Sequence, residues 1–179
     1  MISRLLLFIG ITCLAIYGFF TVQAYYHQRM LEEEFNEPAG PEVTVEKKKE
    51  TPRKTLKEGD LFGRLEIPRL NVSVMVMEGD GDNVLRLGAG HIPGTNLAIA
   101  GHRDTFFRPL KNIKPFDIIR FSTRDGSEEY LVTDTKIVGP TDTWVLDQES
   151  SGSLTLITCY PFHYIGPAPK RFIVEAIKK

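Results

Sequence analysis

The sequence contains little cysteine, and its two cysteines are not placed to pair within one folded domain. Of 179 residues only Cys13 and Cys159 are cysteine, and Cys13 lies inside a long apolar run. The sequence has no CxxC pair and no internal repeat. In an exported chain, a cysteine without a partner indicates a reactive thiol or an intermolecular link. The competing explanation is that Cys159 is a small buried side chain of the core.

A charge excess and the usual phosphate and metal motifs are also missing. The chain has 22 Lys and Arg against 23 Asp and Glu, a formal net charge of −1. No basic stripe with interleaved aromatic residues is present, so nothing favours a nucleic-acid partner. No glycine-rich phosphate loop occurs, and the acidic group Glu78, Asp80 and Asp82 does not fit the spacing of a twelve-residue calcium loop. We therefore expect no metal and no cofactor.

One apolar run lies near the amino terminus. Residues 5–22 (LLLFIGITCLAIYGFFTV) carry no charge, and at ~1.5 Å per residue they would span roughly 27 Å of hydrocarbon. Arg4 precedes the run and Glu32–Glu34 follow it, which favours a cytoplasmic amino terminus and an extracytoplasmic remainder. Residues 1–24 are predicted to be a single-pass anchor in the cell membrane. The alternative is a signal peptide cleaved after Val22-Gln23-Ala24; either would export the rest of the chain.

Between this run and the carboxyl-terminal part lies a polar stretch. Residues 36–58 alternate acids, bases and prolines, and they cannot bury enough apolar surface to offset the entropy of ordering. Residues 25–59 are thus predicted to form a juxtamembrane segment and a flexible charged, proline-containing linker. Residues 60–179 are predicted to be one domain, which is long enough to build a core without disulfides.

The pattern of residues 60–179 has mostly a period of two, which is typical of β-strands. Strands are predicted at 61–67, 72–77, 96–100, 117–122, 128–138, 154–159 and 171–177. A hairpin turn is predicted at 124–127, and a short helix at 82–88 with Asp82 as its N-cap and Gly88 at its end. Residues 104–110 and 142–147 are expected to form single turns. Short strands with turns between them favour a mainly β fold, either a closed antiparallel barrel or a sandwich.

Three residues at predicted strand ends could together carry chemistry. Cys159 ends a strand just before Tyr160-Pro161, His102 follows a short buried strand, and Arg171 begins the last strand. A thiol needs a neighbouring base, since at its free pKa of ~8.5 only a few per cent is thiolate at neutral pH. Acyl transfer also needs a donor for the oxyanion, and arginine offers a permanently charged planar fork. The residues alone leave a thiol acyl-transfer site and three ordinary structural roles equally open.

Neighbouring polar residues have simpler explanations. His163 is expected to border the groove as a substrate-binding residue, with the role of base as its alternative. His91 is expected to brace the loop before the short strand. Asp104 could orient His102 or cap the following turn, while Arg103 and Arg108 are expected to form loop salt bridges.

Three stretches carry a resemblance to a known family. AIAGHRDTFFRPL (98–110), LTLITCYPF (154–162) and PKRFIV (169–174) closely resemble the sortase family, and the class D sortases resemble them best. The resemblance implies an eight-stranded β-barrel with Cys159 as nucleophile, His102 as general acid and base, and Arg171 as the residue that binds the oxyanion and positions substrate. Thr158 is the threonine of the TLxTC stretch and is expected to help bind substrate.

The resemblance implies transpeptidation. Cys159 would attack the threonine carbonyl of an LPXTG-like sorting signal on an exported protein, giving a thioacyl enzyme. An amine from a cell-wall precursor or a pilin lysine would then resolve it, with His102 moving the protons. Two alternatives stay open on the sequence: a thiol hydrolase that uses the same site, and a membrane-tethered barrel that binds a partner without catalysis.

Overall fold

The structure is a computed structural model that describes residues 2–36, 56–146, 152–164 and 166–179. Two α-helices are present in this part, α1 (Ile2–Asn36) and α2 (Asp82–Leu87). Eight strands are β1 (Leu61–Ile67), β2 (Val72–Glu78), β3 (Ala89–His91), β4 (Ala98–Ala100), β5 (Ile118–Thr123), β6 (Gly126–Val138), β7 (Ser153–Tyr160) and β8 (Lys170–Lys178). Short 3-10 helices occur at Pro68–Leu70, Arg108–Asn112 and Thr143–Leu146.

The strands form a closed barrel in the order β1-β2-β3-β4-β7-β8-β6-β5. This confirms the mainly β fold and the eight-stranded barrel. The expected antiparallel pairing is found for most neighbouring strands but was wrong at two places, because β2 pairs with β3 and β4 pairs with β7 in parallel. Parallel neighbours need a crossover connection. Helix α2 lies in the first crossover, and β5 and β6 lie in the second.

Alternate residues of the strands fill the barrel. The core is built from fully buried aliphatic side chains of several strands, including Leu65, Ile67, Val74, Ile99 and Leu156. This is the alternation that the period of two predicted. The hairpin predicted at 124–127 is also present, since Thr123 of β5 pairs with Gly126 of β6.

Short elements differ from their predictions. Strand β3 was not predicted, because its sequence Ala89-Gly90-His91 is short and has no large apolar side chain. Strand β4 has three residues instead of the five expected. The N-cap of α2 is Gly81 and not Asp82, which lies in the first turn. A carboxylate there still favours the helix through its dipole.

Helix α1 extends well past the apolar run. It is the helix in the described part that is long and apolar enough to cross a membrane, by length and composition. Beyond the run it packs on the barrel, where Leu31 joins a cluster with Met75, Met77 and Val84. Residues 25–36 of the expected juxtamembrane segment are therefore helical and contact the barrel. Of the segment expected at residues 25–59 to be juxtamembrane chain and flexible linker, residues 37–55 lie outside the described residues.

Candidate active site

Strand β7 presents Cys159 on the outer face of the barrel wall. Leu154, Leu156 and Thr158 point to the interior and are 0%, 0% and 2% exposed. Successive side chains of a strand point to opposite faces. Cys159 therefore faces outward, where it is half-buried and forms no disulfide. The wall itself holds the thiol at the surface, which argues against the reading of Cys159 as a core side chain.

Strand β8 brings Arg171 to the thiol. In the antiparallel pair β7–β8, Cys159 is directly opposite Arg171, and opposite residues have Cβ atoms roughly 4.5–5.5 Å apart on the same face. The Arg171 Nη1 atom donates to the carbonyl oxygens of Ala168 at 3.3 Å and Lys170 at 3.1 Å. These bonds hold the guanidinium against the backbone at the start of β8.

The parallel pair β4–β7 brings His102 to the same level. Ala100 pairs with Ile157, and the Gly101 N–H donates to the Ile157 carbonyl at 3.1 Å. Continuing this register by two residues places half-buried His102 beside Cys159 at the end of β7. Cys159 and Arg171 thus lie on the neighbouring strands β7 and β8, and His102 follows β4, the strand on the other side of β7.

Thr158 and Phe107 support the backbone around His102. The Thr158 hydroxyl is buried and donates to the Gly101 carbonyl at 2.7 Å. A Cβ at Gly101 would lie 2.6 Å from the Phe107 ring, so only glycine permits this approach. The Phe107 N–H in turn donates to the His102 carbonyl at 3.1 Å. The expected substrate contact of Thr158 does not come from its side chain in this structure, because that side chain faces the core.

Arg103 connects the histidine segment to the segment after the cysteine. Its side chain is 6% exposed, and its Nε and Nη2 atoms donate to both carboxylate oxygens of Asp104 at 3.0 and 2.9 Å. Its Nη1 atom donates to the Pro161 carbonyl at 2.6 Å, and Nη2 also donates to the Tyr164 carbonyl at 2.9 Å. The expected loop salt bridge is confirmed. Its two long-range bonds were missed, because no sequence pattern links residues 58 and 61 positions apart.

Asp104 is engaged by Arg103. The hydrogen bond from Arg103 is the main cause that lowers the pKa of the Asp104 carboxyl, and the nearby His102 contributes in the same direction. The main contact of the Asp104 carboxylate is therefore Arg103. Asp104 was expected either to orient His102 or to cap the following turn, and neither of these is its main interaction.

The remaining two candidate histidines occupy different places. His163 is exposed and follows the cis Tyr160-Pro161 bond, at the rim of the site. His91 is buried in β3, where Nδ1 lies 2.8 Å from the Glu78 carboxylate. Its ring also stacks on Phe62 at 4.1 Å between centroids. His91 therefore braces β1 and β2 as part of the scaffold.

An aromatic cluster lies beside the thiol. Tyr160, Phe162 and Phe172 have ring centroids 5.1–6.3 Å apart, and Phe162 and Phe172 also pack on the core. Such pairs add stability beyond their buried area and hold the exit of β7 in place. Among the described residues, no group of three His, Cys, Asp or Glu side chains could hold a metal ion.

Comparisons with known proteins agree with this site. Residues 65–179, more than half of the chain, match the family model described as the sortase domain. Sortase D of Bacillus subtilis (strain 168) is 38% identical over 124 residues, which are 65% of this chain and 63% of that protein. Sortase A of Listeria monocytogenes is 32% identical over 109 residues, 55% of this chain and 49% of that protein. The chain thus matches less than two thirds of the length of these curated relatives.

Solved structures show the same fold. A Clostridium perfringens sortase D5 transpeptidase matches with a TM-score of 0.69 and 25% identity, over 88% of this chain and 99% of that chain. A lid mutant of sortase A from Corynebacterium diphtheriae matches with a TM-score of 0.63 and 26% identity, over 69% of this chain and 72% of that chain.

The structure is an eight-stranded barrel in which an outward-facing cysteine, a histidine and an arginine lie at neighbouring strand ends. The chain belongs to the sortase family, whose members are cysteine transpeptidases. Within the family it is class D-like, which confirms the resemblance found in the sequence.

Proposed function

We propose that this protein is a membrane-anchored sortase that cleaves an LPXTG-like sorting signal and transfers the exported protein to an amine. The observation that carries the proposal is the direct register of Cys159 with Arg171, together with the β4–β7 pairing that brings His102 alongside. Helix α1 is the anchor in this proposal, with its amino terminus in the cytoplasm and the barrel outside.

The chemistry follows from the placement of the three side chains. The Cys159 thiolate attacks the threonine carbonyl of the sorting signal, and the Arg171 guanidinium stabilises the oxyanion that forms. His102 protonates the departing amine, so the peptide bond breaks and a thioester to Cys159 remains. The incoming amine, from a cell-wall precursor or a pilin lysine, loses its proton to His102 and attacks the thioester, which releases the Cys159 thiolate and leaves His102 protonated for the next cycle.

The test uses the full chain in detergent micelles or nanodiscs with a panel of LPXTG-like peptides. Each peptide is incubated with and without a small peptide amine, and products are separated and weighed. A transpeptidase gives a new amide only when the amine is present, and Cys159→Ala gives none. Release of free acid at the same rate with or without amine would instead identify a thiol hydrolase. No product from any peptide, with the fold intact, would favour the non-catalytic binding barrel.

A further inference from the structure

Arg103 is a buried charge that directly follows His102 in the chain. Its guanidinium makes four hydrogen bonds: two to Asp104, one to the Pro161 carbonyl and one to the Tyr164 carbonyl. A buried arginine is costly unless its donors are satisfied. The four hydrogen bonds offset this cost and fix the Arg103 guanidinium within the loop that follows His102.

The bonds of Arg103 join the two halves of the site. On one side Arg103 is bonded covalently to His102. On the other, Pro161 lies two residues after Cys159, and Tyr164 lies five residues after it. No other side-chain hydrogen bond in the described part of the chain joins residues 102–104 to residues 160–164. The planar fork of arginine can hold several acceptors in fixed directions, whereas lysine presents a mobile point charge.

We propose that Arg103 is a positioning residue that clamps the exit of β7 onto the histidine loop and so sets the distance between the Cys159 thiol and the His102 imidazole. The proposal rests on the proposed function, since it assumes that these two groups react together. Asp104, whose side chain is 65% exposed, balances the positive charge of Arg103 from the solvent side. Its two carboxylate oxygens accept hydrogen bonds from Nε and Nη2 and so fix the orientation of the guanidinium plane. A bond lost here moves reacting groups by a fraction of an ångström, which is enough to slow catalysis.

The test compares Arg103→Lys, which keeps the charge and loses the fork, with Arg108→Lys at an exposed arginine of the same loop. Both are made in full chains with Cys13→Ser, so that Cys159 is the one thiol. We expect Arg103→Lys to lower kcat at least tenfold with a smaller change in KM, and Arg108→Lys to match the parent. Thermal melts verify that both variants are folded.

A second readout needs no peptide and therefore separates this proposal from the proposed function. The rate of Cys159 alkylation by iodoacetamide is measured against pH. If Arg103 sets the thiol–imidazole geometry, Arg103→Lys changes both the rate and the shape of the profile, as His102→Ala does. Unchanged alkylation and unchanged kcat in folded Arg103→Lys would overturn the clamp. Altered alkylation without any peptide turnover by the parent would keep the clamp and reject the sorting function.

A separate observation concerns the docked end of α1. Gln28 accepts the Met75 N–H at 2.7 Å and donates to the Leu87 carbonyl at 2.6 Å. A Cβ at Gly88 would lie 2.5 Å from the Gln28 side chain, so glycine makes room for this contact. Gln28, Leu31 and Phe35 lie on one helix face at spacings of three and four residues, and that face meets the barrel.

Charged residues extend the same contact. Arg64 lies 3.4 Å from Glu32 and 5.0 Å from the Phe35 ring centroid, and Arg124 lies 2.6 Å from Glu34. The helix thus presents acids where the barrel presents arginines. Surface ion pairs are individually weak. The contact is therefore stabilised mainly by Leu31, Phe35 and the Gln28 amide, and the ion pairs favour one orientation of the helix.

We infer that α1 is a rigid stalk that holds the barrel close to the membrane in one orientation. The docked face begins six residues beyond the apolar run, roughly 9 Å along a helix. The helix docks on β1, β2 and α2, and these two strands lie three or four positions around the ring from β7 and β8. The candidate site therefore opens on the wall opposite the stalk and is not covered by it.

Crosslinking in nanodiscs tests the stalk on the full chain with Cys13→Ser and Cys159→Ala. Glu34→Cys is combined either with Arg124→Cys, its neighbour across the contact, or with Lys170→Cys at the start of β8 on the far wall. A short bismaleimide is expected to join the first pair within one chain in high yield and to leave the second pair unjoined. Equal yields for both pairs would show that α1 is a loose tether and would overturn the inference.

Discussion

The wall that carries the candidate site and the wall that carries α1 are built differently. The site wall contains the three-residue β4, a parallel pairing with β7, and three half-buried polar side chains at strand ends: His102, Cys159 and Arg171. The opposite wall contains the seven-residue strands β1 and β2, covered by Leu31 and Phe35.

The difference shows how the barrel divides its tasks. The wall with the helix is packed on both faces, by the barrel core inside and by the apolar side chains of α1 outside. On the site wall, the side chains expected to contact water and substrate are half-exposed at strand ends. The side chains of Thr158 and Arg103 donate hydrogen bonds to backbone carbonyls nearby and so fix the backbone that carries these residues. Functional sites break local rules of stability that the rest of the fold obeys. Changes to the site wall are thus expected to alter activity more than stability.

The largest effect is expected from His102→Ala. Loss of a positioned acid and base typically slows proton transfer by ~10²–10⁴-fold, and transpeptidation should fall by that factor with the melting temperature nearly unchanged. His163→Ala, at an exposed histidine expected to contact substrate, should raise KM and change kcat by less than about threefold. A larger loss from His163→Ala than from His102→Ala would reverse the assignment of the base.

A somewhat smaller loss is expected from Arg171→Ala. Removing one donor to a developing oxyanion costs roughly 10²–10³-fold in kcat in other acyl-transfer enzymes. Arg171→Lys should recover part of this, because it restores charge without the planar fork. Steady-state kinetics with a sorting-signal peptide measures both. If KM rises and kcat is unchanged in Arg171→Ala, arginine binds substrate and does not stabilise the oxyanion.

Thr158→Val should have a mixed effect. It preserves shape but leaves the Gly101 carbonyl without the hydroxyl donor at 2.7 Å, at a cost of ~1–3 kcal/mol of unfolding free energy. Because that carbonyl directly precedes His102, activity should also fall, by about tenfold. Denaturant unfolding and kinetics on the same preparation check both. Full activity in a destabilised Thr158→Val would show that the bond supports the fold alone.

The smallest effect is expected away from the site, at Asp117. This buried carboxylate is hydrogen-bonded by Arg69, which is the main cause that lowers its pKa below the ordinary 3.8. A lowered pKa contributes stability that is complete above 3.8 and is lost as the pH falls through the folded value. Asp117→Asn should therefore lower Tm by about a few degrees at neutral pH. In acid the difference in Tm between the parent and Asp117→Asn should disappear, because the carboxylate is then protonated. A difference in Tm that is the same at pH 2 and pH 7 would show that the ion pair does not contribute to stability.

Much of the barrel follows from the sequence, because its strands have a clear period. Long alternating segments such as β6 and β8 are predicted to within a few residues. Strand β3, with Ala89 and Gly90, has no apolar pattern of its own and exists because neighbouring strands pair with it. Helix α1 was predicted only over its apolar run, since its last turns are polar. Gln28, Leu31 and Phe35 mark one face of that continuation, and this spacing could have indicated it.

The residues of the candidate site could be predicted from residue type and family resemblance. Their arrangement in space follows only from the pairing of the strands that carry them. His102 and Cys159 lie 57 residues apart in the sequence, and no spacing rule brings them together. The parallel register of β4 on β7 does so, and the antiparallel register of β8 adds Arg171. Arg103 could not be assigned from sequence, because its acceptors are backbone carbonyls of a distant segment.

The most direct test of the central claim is to trap the acyl enzyme. The full chain is incubated with an LPXTG-like peptide without amine, quenched in acid and digested, and the modified residue is located by tandem mass spectrometry. The account predicts a thioester on Cys159 that carries the peptide up to its threonine and accumulates in the parent. It should be absent in Cys159→Ala, where Cys13 remains. An acyl group on any other residue, or turnover that persists in Cys159→Ala, would contradict a site built on the ends of β4, β7 and β8.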